Sequence, residues 1–229
     1  MYSLVKKDVL SLFSSWLGWG IVSTFFVLMG VYVWVVEGNV LDFGFAELSV
    51  FFDLSPLFFL ILVPALSMGS VSEELEKGTF QMLRSLPLSL NEFLAAKYLS
   101  LLVIVLITLL PSLLFVYSIA LLGFPKFNFD SSLVLGGYIS LVLLNLCFIA
   151  LGVFASSLSR KQPVAFLLGL FLNFVFYQGA KELNFGIIDL SAHYSRMSMG
   201  VISIDDLFYF CGMIFVLVGI TQFRLRRLI

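Results

Sequence analysis

Charge is what this sequence has least of. Only 12% of its 229 residues are Asp, Glu, Lys or Arg, against roughly 25% in a soluble domain. With 61% apolar residues and a mean hydropathy of +1.09, the shortage excludes an ordinary water-soluble domain. The net charge of −1 is a total that hides how the charges are distributed and says nothing about nucleic acid, and no nucleic-acid partner is expected. Cysteine is scarce too. Cys147 and Cys211 both fall inside apolar runs, which excludes a disulfide framework and metal-ligand spacing. They read as small polarizable packing residues. The one histidine, His193, makes no metal site alone and leaves a Ser–His pair few options.

Other absences narrow the function classes. There is no phosphate loop of the form G-x-x-x-x-G-K-[ST], no G-x-S-x-G elbow and no H-E-x-x-H, so nucleotide hydrolysis and membrane-embedded proteolysis lack their usual parts. No mid-span Asp, Glu, Lys or Arg offers a proton or sodium relay. No internal repeat is visible, which weighs against a secondary carrier built from repeated halves.

Long apolar runs are abundant. A membrane span needs about 20 mostly apolar residues, and six runs qualify: 12–36, 54–71, 98–122, 133–158, 164–180 and 207–223. No strand alternation interrupts them, and in lipid only a helix satisfies its own backbone. The expected fold is therefore all-α: a polytopic membrane protein with six transmembrane helices, a single transmembrane domain over 1–229. The first run is too long for the apolar part of a signal peptide and reads as a retained anchor.

Orientation follows from Lys and Arg. With the N-terminus inside, the inner segments hold Lys6, Lys7, Lys77, Arg84, Lys97, Arg160, Lys161, Arg224, Arg226 and Arg227. The outer segments hold only Lys126, Lys181 and Arg196. The expectation is a cytoplasmic-membrane protein with both termini in the cytoplasm.

Two segments between spans have readable grammar. In residues 182–206, a short helix is expected on the outer face, and Ser203 with Asp206 forms a capping box for the sixth span. The other segment, 72–92, is charged and partly apolar. Glu73 and Lys77 are four apart with the acid first, which supports one more helical turn. Gly78 ends it. Thr79 caps a short helix, "FQMLRSL", on which Phe80, Leu83 and Leu86 share one side and Gln81, Arg84 and Ser85 the other. Pro87 stops it, and Ser89 with Glu92 caps the helix entering the third span. The product is an amphipathic helix held between two stiff elements. Either it rests on the lipid interface or it is a docking surface that receives force.

The block "EELEKGTFQMLRSLPLSLNEFLAAKYL" resembles the segment between the second and third spans of export-type (type-2) ABC transporter permeases. Glu73, Glu74, Lys77, Gly78, Thr79, Leu83, Pro87, Leu88, Ser89 and Lys97 fit that pattern. "LDFGFAELSVFF", "PALSM", "GVFASSLSRKQPVAF" and "GVISIDDLFYF" extend the likeness over nearly the whole chain. They narrow it to the permeases of the gliding-motility ABC transporters of Bacteroidota, the GldF family. Trp16 stands where that family's pattern has Pro, and no basic residue lies near Gly69.

The resemblance implies a subunit with no ATP site of its own. A separate cytoplasmic ATPase of the GldA kind would bind ATP and Mg, with no cofactor in this chain. A second membrane subunit of the GldG kind, with a large extracytoplasmic domain, or a second copy of the chain would complete the complex. The coupling segment would then be a coupling helix. Lys77 and Arg84 are its candidates for contact with ATPase acids, and Phe80 and Leu83 for anchoring it. Thr108 and Ser112 beside Pro111, Asn145, Asn173 and Gln178 are candidate path residues, although uncharged polar residues also hold helices together. Gly152 with Ser156, and Ala165 with Gly169, permit close helix contact within the chain or between subunits. A structural subunit that transmits force without moving a substrate needs the same inner helix, so both readings stay open. An independent carrier and a membrane enzyme remain weaker rivals.

Overall fold

A computed structural model describes residues 2–14, 16–36, 48–78, 89–122, 130–182, 186 and 188–227. Among these residues the structure is helical and contains no strand. Helix α1 is Tyr2–Phe13, α2 is Trp16–Trp34, α3 is Ser49–Ser67 and α4 is Gly69–Glu76. Helix α5 is Leu90–Leu109, and a 3₁₀ turn at Leu110–Ser112 joins it to α6, Leu113–Leu122. Helix α7 is Ser131–Leu158 and α8 is Gln162–Phe174, which runs through a π-turn, Val175–Gly179. Helix α9 is Leu190–Ser198 and α10 is Ile204–Arg226.

Five continuous stretches are long and apolar enough to cross a membrane: Ser49–Glu76, Leu90–Leu122, Ser131–Leu158, Gln162–Glu182 and Ile204–Arg226. A sixth arises if Tyr2–Phe13 and Gly18–Trp34, bent by 66°, are taken together. The expected first span, 12–36, thus straddles a corner, and the chain before it is a separate helix. Hydropathy averaged along the run does not register such a corner, because Ser14 and Ser15 are too short a break between Leu12–Phe13 and the apolar residues that follow. The third expected span begins earlier than hydropathy indicates. Ser89 Oγ accepts from the Glu92 amide and Glu92 Oε2 accepts from the Ser89 amide, so α5 starts at its capping box.

Helix α7 is the axis of the molecule. Its most apolar window is 72% buried, against 22% for α10. It packs against α3, α5, α8, α9 and α10. Small residues let it do so. A Cβ on Gly152 would lie 2.1 Å from Ser67 Oγ, and a Cβ on Gly169 of α8 would touch Ala155 and the Gly152 backbone. The small-residue pairs therefore serve packing inside the chain. Cys147 is buried in this core, whereas Cys211 is exposed on the flank of α10; the expectation of two buried cysteines holds for one.

One turn beyond Gly152, the hydroxyl of Ser156 is inserted into the helical ladder where α3 passes into α4. It accepts from the amides of Val71 and Ser72 at 3.1 and 3.0 Å and donates to the Met68 carbonyl at 2.8 Å. A side chain inserted in this way offsets a helix, which accounts for the separation of α3 from α4 at Met68. Pro64, whose ring carries no N–H, weakens the preceding turn.

Replacing Ser156 with Ala removes all three bonds and leaves buried amides facing a methyl group. The expected loss is about 1–3 kcal/mol, read as a lower midpoint of thermal unfolding in detergent. Ser157, whose hydroxyl bonds only within its own helix to Phe154, provides the control. An unchanged midpoint in Ser156→Ala would remove the brace from the account.

Candidate functional site: the α4–α5 region

The charged block between the second and third spans is carried on its described sides by α4 and α5. Lys77 Nζ pairs with Glu73 Oε1 at 2.5 Å across one helical turn. That bond holds the Lys77 ammonium above its ordinary pKa. The chain leaves α4 through Gly78 at φ +68°, a conformation that favours glycine because a Cβ is strained there. Thr79, Phe80, Leu83, Arg84 and Pro87 lie outside the described residues. So does the whole of the expected coupling helix; only the ends of the supports on either side of it, Gly78 and Ser89, are described.

Between those ends the structure places an ionic node. Lys97 is only 12% exposed at its side chain, and its Nζ lies 3.0 Å from Asp8 Oδ2 and 3.3 Å from Glu74 Oε1. Its ammonium also sits over the Phe93 ring at 5.6 Å. Glu74 belongs to α4, Lys97 to α5 and Asp8 to α1, so one cation ties together three helices. Asp8 was missed in the sequence because nothing in a single lysine-flanked acid tells which helix it will meet. The same end of the bundle gathers further polar ends. Gln222 of α10 bonds to Asn91 of α5, and the Gln162 side chain comes up to Gly69.

The opposite end is organised around Asp206. Its side chain is 2% exposed, and Oδ1 lies 2.6 Å from Arg196 Nη2 and 2.6 Å from His193 Nδ1. Ser203 donates to Oδ2 at 2.8 Å and accepts from the Asp206 amide. His193 stacks on Tyr209 at 3.7 Å, and Tyr194 donates to the Phe52 carbonyl at 2.5 Å. Asp206 therefore caps α10 and also locks α9 onto it. The capping half of this role is readable from Ser203 and Asp206; the partnership with Arg196 and His193 needs the fold.

The candidate path residues are dispersed. Thr108, Ser112, Asn145 and Asn173 are all fully buried within the chain. The Thr108 hydroxyl donates to the Ile104 carbonyl, and Ser112 bonds Leu109 O and Tyr138. Asn145 donates to Leu141 O, while its carbonyl oxygen and both amide atoms of Asn173 have no partner among the described residues. Gln178 lies half-buried in the π-turn.

A model of the family described as ABC-2 family transporter protein matches residues 2–198. The chain belongs to that family. It is a multi-pass membrane subunit of an ABC transporter, and family membership implies an ABC ATPase as its partner. No curated protein matches it.

Neutralising Lys97 as Lys97→Met leaves Asp8 and Glu74 without their shared cation. We expect α1 to detach, at a cost on the order of 2 kcal/mol, with faster tryptic cleavage at Lys6 and Lys7 in the detergent-solubilised protein. Unchanged cleavage would show that α1 is held by apolar contact alone.

Proposed function

We propose that this chain is the permease subunit of an ATP-driven export-type complex and that residues 72–92 form its coupling element. The observation that supports this most strongly is the family match, which runs through that segment. On this reading, the segment lies in the cytoplasm, at the end of the bundle that holds Lys97, Arg160 and Arg224. Both termini lie there too, in a bacterial inner membrane. A cytoplasmic ATPase binds ATP and Mg, closes, and presses on the helix beginning at Thr79. The push passes into α4 and α5, which the Lys97 node and the Ser156 hydroxyl keep from yielding separately. Glu73, Glu74, Lys77, Gly78, Thr79, Phe80, Leu83, Arg84 and Pro87 are the residues assigned to this coupling. The chain itself is not an enzyme and carries no cofactor.

The narrower assignment is to gliding motility, with a GldA-like ATPase and a GldG-like second membrane subunit or a second copy of the chain. It rests on the resemblance of the 72–92 block and the outer segment "LDFGFAELSVFF". The burial of Thr108, Ser112, Asn145 and Asn173 inside one chain favours a second reading within the same complex. In it the subunit conveys force across the membrane and moves no substrate.

Arg84→Glu tests the coupling assignment. Reversing a charge at a paired contact is expected to weaken co-purification of the ATPase about tenfold or more; full association and a normal cell phenotype would count against it. In intact cells, a cysteine at position 195 should react with an impermeant thiol reagent and one at 85 should not, and the reverse pattern would invert the topology. The purified chain alone should hydrolyse no ATP.

A further inference from the structure

Helix α1 has two sides of different character. Leu4, Val5, Asp8, Val9, Leu12 and Phe13 are partly buried, and the helix packs against α5 and α2. Tyr2, Lys6 and Leu10 recur every fourth residue, as do Ser3, Lys7 and Ser11, so they share the other side. All six are exposed. That side carries two positive charges and no acid. Lys6 and Lys7 make no ion pair among the described residues. The one acid of the helix, Asp8, lies on the packed side and is held by Lys97 at 3.0 Å.

The corner fixes how this side is presented. The Trp19 indole donates to the Phe13 carbonyl at 3.0 Å, and the two rings meet edge-on. Gly18 lets Leu12 come so close that a Cβ would lie 2.5 Å from the Leu12 carbonyl oxygen. With the Asp8–Lys97 bond, α1 is held at its corner and midway along. Helix α2 has 19 residues, about 28 Å of helix, so it nearly crosses the hydrocarbon by itself. Trp16 and Trp19 are exposed at one end and Tyr32 at the other, the places where aromatic residues meet the two membrane surfaces. Bent by 66° from Gly18–Trp34, α1 then runs nearer to the membrane plane than to its normal. Tyr2 is 81% exposed and Leu10 56%. Two apolar residues beside two lysines suit a membrane surface better than water.

We propose that the exposed side of α1 lies in the membrane interface and binds anionic phospholipid headgroups through Lys6 and Lys7. Each ammonium offers three N–H donors to phosphate oxygens. Tyr2 and Leu10, one turn to either side of Lys6, seat at the boundary between headgroups and acyl chains. A zwitterionic headgroup also has a phosphate, but it brings its own cation and so gains less from the lysines. The assignment uses α1 and α2 alone. It needs neither the ATPase nor residues 72–92, so it stands or falls apart from the coupling role.

The test puts a fluorophore on Ser3→Cys, one turn before Lys7 on the exposed side, with Cys211→Ser to remove the exposed thiol. The full chain is reconstituted in vesicles of equimolar phosphatidylglycerol and phosphatidylcholine, and one lipid at a time carries a nitroxide quencher. A lysine near an anionic surface gains about fivefold in binding. We therefore expect phosphatidylglycerol to be enriched over phosphatidylcholine around the label by about fivefold or more. The double variant Lys6→Gln, Lys7→Gln should bring the ratio to unity. The double variant Arg160→Gln, Lys161→Gln removes the same charge from another element and should leave the enrichment intact. Equal quenching by the two lipids, quenching by neither, or a preference that survives without Lys6 and Lys7 would overturn the proposal. Loss of the preference in the Arg160, Lys161 variant would overturn it too, because the attraction would then belong to the whole chain and not to α1.

Discussion

A single hydroxyl controls the junction on which the rest of this structure depends. Where α3 passes into α4, the helical ladder is offset: the Val71 and Ser72 amides donate to a side chain, and the Met68 carbonyl accepts from the hydroxyls of Ser72 and Ser156. In a water-poor setting each unpaired backbone group costs several kcal/mol. Ser156 of α7 uses its full capacity there, accepting twice and donating once. The offset and its bracing are one feature. Because Gly152 lets α3 come within contact of α7, the Ser156 hydroxyl reaches the ladder at all. Helix α4 is therefore joined to the most buried helix of the bundle instead of ending as a free extension of α3.

That join gives α4 a mechanical character. It carries Glu73, Glu74 and Lys77 out of the bundle and ends at Gly78, while α5 returns through a capping box at Ser89. Lys97 links the two through Glu74 and adds α1 through Asp8. On the proposed coupling role, displacement delivered between Gly78 and Ser89 passes into both supports together, since Glu74 and Lys97 tie them. The far end of the bundle has its own lock, in which Asp206 holds α9 to α10. Polar interactions thus concentrate at the two ends, and the middle is held by close packing along α7.

Much of this is legible in the sequence, for physical reasons. Long apolar runs with few charges permit little but membrane helices. Motifs confined to one turn also translate directly: the Ser89–Glu92 box, the Glu73–Lys77 pair and the glycine exit at position 78 all depend on neighbours within four residues. What the sequence hides is whatever crosses between helices. The corner before Trp16 is marked only by Ser14 and Ser15, a break too short to divide a long apolar run. Asp8 and Lys97 are 89 residues apart, and Ser156 meets Val71 across 85. Gly152 with Ser156 is visible as a small-residue pair, but only the fold tells that it faces α3 and α4 and not another subunit. Of the coupling residues, those from Thr79 to Pro87 lie outside the described structure, so their roles rest on the family pattern.

The central claim is that α4 and α7 move as one body when the complex works. Pulsed electron paramagnetic resonance between spin labels at Glu76 and Leu158, in the assembled complex with its ATPase, measures this directly. The account predicts the same narrow distance distribution without nucleotide and with ATP trapped. A distance that shifts or broadens between the two states would contradict it, because α4 would then be sliding past the helix to which Ser156 is meant to fasten it.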